Sequence, residues 1–209
     1  MKKILTAALV VVALMMSTTL KAQDKFVTFG VKAGLNLSNM SGDVDGDIKP
    51  GFNAGVTVDL RLMPNLYLLS GLEYSLEGTK SGDAKLEYSY LKLPLHVGYK
   101  LPVMDNMKIV FHAGPHLAYG LSGKSKYKGE ESYDLYDVEL GVKGKRFDLG
   151  LGFGVGAEVS NFCFNVGCDF GLLNQFEFKG LFDETEWDIA DKDINAKNMN
   201  INISVGYKF

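Results

Sequence analysis

The 209-residue chain is 46% hydrophobic and 22% charged, with a formal net charge of −3 from 22 basic and 25 acidic residues. That balance excludes the basic surplus of a nucleic-acid-binding domain, and the length suits a single domain. Twenty-four glycines, thirteen phenylalanines and ten tyrosines against five prolines point to an all-β protein.

The first residues divide into a basic start (Lys2, Lys3), an apolar run (Leu5 to Met16) and a short polar tail (Ser17 to Ala22). This is the layout of a secretory signal peptide, and the run is too short for a spanning helix of ~20 residues. Cleavage after Ala22 is expected to leave residues 23–209 as the mature domain. No Cys follows the run, which speaks against a lipid anchor.

Eight alternating segments follow. Phe29, Val31, Ala33, Leu35 and Leu37 share one parity, and Thr28, Lys32 and Asn36 the other. The second sets Phe52, Ala54, Val56, Val58, Leu60 and Leu62 against Asn53, Thr57, Asp59 and Arg61, and the third sets Leu68, Leu72, Tyr74 and Leu76 against Glu73, Ser75 and Glu77. The fourth opposes Leu91, Leu93, Leu95, Val97 and Tyr99 to Lys92, Pro94, His96 and Lys100. The fifth opposes Ile109, Phe111, Ala113, Leu117 and Tyr119 to Lys108, His112 and His116. The sixth alternates Phe147, Leu149, Leu151, Phe153 and Val155 with Asp148, four glycines and Glu158. The seventh alternates Phe162, Phe164, Val166, Cys168 and Phe170 with Asn165 and Asp169. The eighth alternates Met199, Ile201, Ile203, Val205, Tyr207 and Phe209 with Asn198, Asn200, Asn202, Ser204 and Lys208. A period of two marks strands with two unlike faces, and each segment reaches the ~9–11 residues of a tilted membrane strand.

The connections alternate as well. Those near Pro64-Asn65, Pro102 to Asn106 and Ser160-Asn161 are short. Those at Ser38 to Pro50, Gly78 to Asp83, Ser122 to Lys145 and Asn174 to Ala196 are longer. This is the plan of an eight-stranded antiparallel transmembrane up-and-down β-barrel, with short periplasmic turns and long extracellular loops. A soluble lipocalin-like barrel would invert the parity, with apolar residues inside. The signal-peptide layout, the loop asymmetry and the terminal Phe209 together favour the membrane. Cys163 and Cys168 stand five residues apart, ~16 Å along a strand, too far for a disulfide needing Cα atoms within about 7 Å.

Three stretches, `SYLKLPLHVGYKLPV`, `VFHAGPHLAYGL` and `FDLGLGFGVGAEV`, carry Tyr90, Leu91, Pro94, Leu95, Ala113, Gly114, Pro115, Phe147, Asp148 and Gly150. In these the chain resembles the PorT-like outer-membrane β-barrel family of Bacteroidota, often described as a porin family. The resemblance covers the mature chain and implies an eight-stranded outer-membrane barrel. It implies little about activity, and the secretion role of PorT itself does not carry over.

The inward parity collects Lys32, Arg61, Lys92, Lys100, Lys108, Arg146 and Lys208 against Asp59, Glu73, Glu77, Asp148, Glu158 and Asp169, near charge balance. Eight strands leave an interior that side chains fill, so a plugged, ion-paired lumen is expected. Gly150, Gly152, Gly154 and Gly156 lack the G-x-G-x-x-G spacing and should make room for side chains from opposite strands. His96, His112 and His116 face inward. Folding the hairpin about Met104 pairs His96 with His112 and Lys92 with His116, which begins a metal site but supplies no third ligand. His116 is the histidine nearest the outer rim, with no Ser or Asp assigned beside it. Pro94 and Pro115 within strands are expected to cause bulges or bends.

Asp43, Asp45 and Asp47 around Gly46 lack the glycine placement and distal Glu of a calcium loop. The last loop has seven acids against two lysines and holds Asp183, Glu184, Trp187 and Asp188. Phe176 and Phe178 continue the outward parity of the seventh segment, and `YDVELGV` before the sixth alternates likewise, so strands projecting beyond the membrane offer an edge to a protein partner. The reading is a monomeric, non-enzymatic structural or surface-interaction barrel without a cofactor, in contact with outer-membrane lipid and lipopolysaccharide. Its rivals are a small channel and a rim enzyme.

Overall fold

Strict alternation leaves each segment one face of Leu, Val, Phe and Tyr and one of polar or small residues, and a closed sheet satisfies both faces at once. The computed structural model describes residues 26–42, 46–82, 84–127, 133–134, 142–174, 176–178 and 196–209. Its strands in chain order are β1 (Val27–Gly42), β2 (Asp47–Met63), β3 (Leu66–Ser81), β4 (Ala84–Met104), β5 (Met107–Tyr127), β6 (Tyr133–Asp134), β7 (Val142–Gly144), β8 (Phe147–Val159), β9 (Phe162–Gly171), β10 (Phe176–Phe178) and β11 (Ala196–Lys208). The eight long ones pair antiparallel with their neighbours in sequence. The last closes on the first from Gly30↔Lys208 to Gly42↔Ala196. The barrel read from the alternation is the barrel observed, and no edge remains among its eight staves.

The outward face is apolar. Leu35 is 66% exposed and Phe153 53%, whereas Asn36 and Glu77 on the inward parity are fully buried. Aromatic rings gather at both ends of the apolar band. Phe162, Tyr207 and Phe209 form edge-on contacts at the short-turn end, and Phe52 lies 5.7 Å from Tyr74 at the other. An apolar band between two aromatic girdles is what a lipid-facing barrel presents.

Three expectations need correction. The strands run further than the alternation alone indicated. β1 continues to Gly42 and β2 resumes at Asp47, so most of the stretch expected as the first long loop is strand, and β4 and β5 reach 21 residues each. Pro94 and Pro115 make no bulge. At each, the ladder misses two residue pairs and resumes in the same register, between Ser70↔Leu95 and Glu73↔Lys92 and between Pro94↔His116 and Val97↔Ala113. A missing N–H thus costs local bonds without shifting the strands.

The third correction concerns the β4–β5 register. The two-residue turn falls at Asp105-Asn106 rather than about Met104, so even after a one-residue irregularity beside Pro102 His112 stands opposite Gly98 and Lys92 opposite Ala118.

Candidate functional site

The inward parity builds the interior of the barrel, and its contents change from end to end. Near the long-loop end Met40, Tyr88, Tyr90 and Ala118 form a small buried cluster with Leu86 against it. The Tyr88 and Tyr90 rings stack at 6.0 Å. Tyr90 is 1% exposed. Asp148, in register with Ala118, is buried beside it.

Beneath the cap lies a polar network that mixes charges with amides. Asn53 Nδ2 donates to Asn36 Oδ1 at 2.6 Å, and Asn36 Nδ2 donates to Ser75 Oγ at 2.8 Å. Ser75 Oγ in turn donates to Glu77 Oε1 at 2.6 Å. Glu77 also accepts from Asn198 Nδ2 and holds the Lys92 ammonium, which reaches Asp169 at 3.5 Å. Asn202 Nδ2 donates to Asp169 at 3.4 Å, and His112 meets Asn165 Oδ1 through Nε2 at 2.8 Å. A buried carboxylate and ammonium persist only when paired and hydrogen-bonded, and here each bond supports the next.

The three histidines occupy the middle. Although His96 is not directly opposite His112, the rings stack diagonally at 5.1 Å and their Nδ1 atoms lie 2.9 Å apart, one donating to the other. Each ring rests on a glycine of β8. A Cβ added at Gly150 would stand 2.5 Å from His116 Nε2, at Gly152 2.8 Å from His96 Cε1, and at Gly154 2.6 Å from His112 Nε2. The alternating glycines therefore form a shelf for the imidazoles, the room for side chains that the sequence suggested. His116 is buried within the lumen and is the histidine nearest the long-loop end. Among the described residues no group of three His, Cys, Asp or Glu side chains stands close enough to hold a metal ion.

Toward the short-turn end Lys32 pairs with Glu73, and a four-membered cluster follows. Lys100 reaches Asp59 at 2.5 Å and Glu158 at 2.8 Å, and Lys208 bridges the same two carboxylates. The Lys100 ammonium also lies 4.3 Å from the Tyr67 ring centroid. Between the layers remains a cavity of ≈ 150 Å³ lined by Leu69, Val110, Cys163 and the histidines. Both thiols are free, Cys163 on this lumen side and Cys168 in register with outward Phe153.

The charged residues placed inward from the sequence separate by depth. Lys32, Asp59, Glu73, Glu77, Lys92, Lys100, Asp148, Glu158, Asp169 and Lys208 belong to the interior, and Arg61 is half-buried at the short-turn end. Lys108 is exposed at that same end, because parity fixes a face but not a height. Arg146 is likewise exposed, at the opposite rim, where its guanidinium donates to Gly120 O at 3.4 Å. The amides Asn36, Asn53, Asn165, Asn198, Asn200 and Asn202 were absent from the expected network; their parity was the available signal. In the loops, Phe176↔Gly144 and Phe178↔Val142 pair as a separate ribbon, so the stretch containing Phe176 and Phe178 is a strand. Asp183, Glu184, Trp187 and Asp188, and the expected signal peptide at 1–22, lie outside the described residues.

A family model described as an outer membrane protein beta-barrel domain matches residues 21–177. No curated protein matches the sequence. Among solved structures the chain is similar to Neisserial surface protein A (NspA), at 13% identity over 88% of this chain and 100% of that one, with a TM-score of 0.53. It is also similar to a major outer membrane protein from Thermus thermophilus, at 16% identity over 88% and 100% with a TM-score of 0.48. For Ail, the attachment invasion locus protein of Yersinia pestis, the values are 13% identity, 88% and 100%, and 0.45.

Proposed function

Because this chain belongs to the outer membrane protein beta-barrel domain family, we propose that it acts as a closed outer-membrane barrel working through its extracellular end, as a structural or surface-interaction protein. The observation that carries this is the filled lumen. The Tyr88–Tyr90 cap stands at one end and the Asp59–Lys100–Glu158–Lys208 cluster at the other. The cavity of ≈ 150 Å³ between them has room for a few water molecules, and eight strands leave an interior that side chains can fill. Opening the short-turn end would separate buried ion pairs, at a cost of roughly several kcal/mol for each uncompensated charge.

An interaction role is further supported by the tall wall of β2 to β5 and the ribbon of β7 and β10. The ribbon is a separate two-stranded sheet whose edges a partner strand could extend. The finer assignment to the PorT-like barrels of Bacteroidota rests on the motifs at 90–95, 113–115 and 147–150. Export through the N-terminal segment as a cleaved signal peptide belongs to the same reading.

The test is solute release from proteoliposomes of refolded protein. Efflux of a small sugar at the rate of empty vesicles is the expected result. Protein-dependent efflux would replace this reading with a small channel.

A further inference from the structure

Above the apolar band, the outer wall carries lysines in an arrangement that a sheet ordinarily avoids. The ladders place Asp47 opposite Lys80, Lys80 opposite Lys85, and Lys85 opposite Lys126, one row across β2, β3, β4 and β5. In the next row Glu87 stands between Gly78 and Lys124. Side chains directly opposite on one face have Cβ atoms ~5 Å apart, and like charges there repel. Lys85, Lys124 and Lys126 are exposed and Lys80 is half-buried.

Acids among the described residues of this wall are few. Glu87 is held by Lys49 at 3.2 Å, whose stem crosses over Gly78. Asp47 stands opposite Lys80, and Asp134 opposite Lys124 in register. Among the described residues the lysine row thus keeps a surplus of positive charge, in a chain whose net charge is −3.

Which way the row points follows from parity. Lys85 shares the face of Leu91 and Leu93, while Leu86, Tyr88 and Tyr90 turn inward. Its height follows from the ladder. The outward apolar run of β4 ends at Leu91, flanked in register by Tyr74 and Tyr119 of the aromatic girdle. Six residues further, at ~3.3 Å each and a ~40° tilt, Lys85 stands ~15 Å above that edge. Flexible lysine stems cover part of the distance back toward the membrane. At this height and on this face a side chain meets the saccharide headgroups of the outer leaflet rather than lipid tails or open solvent.

The geometry points to a binding site on the outer wall of β3, β4 and β5 for the phosphorylated headgroup of an outer-leaflet glycolipid, held by Lys80, Lys85 and Lys126 with Lys124 beside them. Phosphate oxygens supply the negative charge that the row lacks, and the acyl chains lie along Leu91, Leu93 and Tyr119 directly below. The site rests on the membrane orientation alone and holds whether or not the lumen conducts.

The test uses full-length refolded barrel in glycolipid-free detergent, titrated with fluorescent diphosphoryl lipid A and with its dephosphorylated form. The unsubstituted protein should bind the phosphorylated form preferentially. The Lys80→Ser/Lys85→Ser/Lys126→Ser protein should bind it roughly a hundredfold more weakly, from a lysine contribution of about one kcal/mol each at a charged membrane surface. The corresponding triple Arg variant should retain binding, and a single Lys85→Glu exchange should weaken it, which covers a failure of the triple Ser variant to fold.

A second readout changes sign. In glycolipid-free detergent the triple Ser variant should resist denaturant at least as well as the original, because the like-charge row is relieved. In lipid A-containing vesicles it should resist less. Equal binding of the two lipid forms, undiminished binding by the Ser variant, or equal competition by an anionic polysaccharide without acyl chains would each overturn the assignment.

Discussion

Replacing Lys92 by methionine keeps the length of the side chain and removes the ammonium that sits between Glu77 and Asp169. Lys92 is 4% exposed and Glu77 is fully buried, so water cannot take over the pairing. Glu77 would keep its bonds from Ser75 and Asn198, and Asp169 its bond from Asn202, yet two carboxylates would face each other uncompensated. Breaking a buried pair by removing one partner costs about 3–5 kcal/mol. The double variant Lys92→Met/Glu77→Gln removes one charge of each sign and keeps the acceptor for Ser75. It should recover part of the loss, with a coupling of about 0.5–3 kcal/mol. Urea unfolding in phosphatidylcholine vesicles, followed by circular dichroism and by gel-shift on heating, measures both. A Lys92→Met barrel within about 0.5 kcal/mol of the original would refute the claim that this ammonium holds the network together.

Other outcomes follow from the same geometry. Val97→Arg places a charge on an outward position that is 51% exposed to lipid, and should cost about 2–4 kcal/mol near the midplane, read as a lowered yield of folded barrel in vesicles, whereas Val97→Leu should leave the yield unchanged. Gly152→Val drives a side chain into His96 and Asp169 and should destabilise the barrel by about 1–3 kcal/mol in the same urea assay. Mass spectrometry without reductant should find Cys163 and Cys168 unbridged, since the two strand faces they occupy are separated by the barrel wall; a linkage between them would contradict the register of β9.

Much of this architecture is legible in the sequence because a period of two reports a face directly. The lipid side, the lumen side, the eight staves and the opposed charges such as Lys32 and Glu73 follow from parity and count. Depth and register do not. Lys108 has inward parity but stands at an end where water reaches it, and nothing in the alternation measures that height. A hairpin folded about Met104 leads to the His96–His112 contact, but the turn falls at Asp105-Asn106, which leaves the pairing displaced by two residues and turns a direct pair into a diagonal one. The amide ladder from Asn53 through Asn36 to Glu77 escaped because uncharged groups make no charge balance to inspect, although buried amides need partners as strictly as charges do. The lysine row on the outer wall depends on three ladders at once, so it emerges only after the registers are known.

The most direct measurement is single-channel recording of the refolded wild-type barrel in a planar bilayer. A lumen stoppered by Tyr88 and Tyr90 and cross-linked by Lys92, Lys100 and Lys208 should give no steady conductance above the bare membrane. Reproducible unitary steps from the unmodified protein would contradict the closed interior on which the proposed function rests.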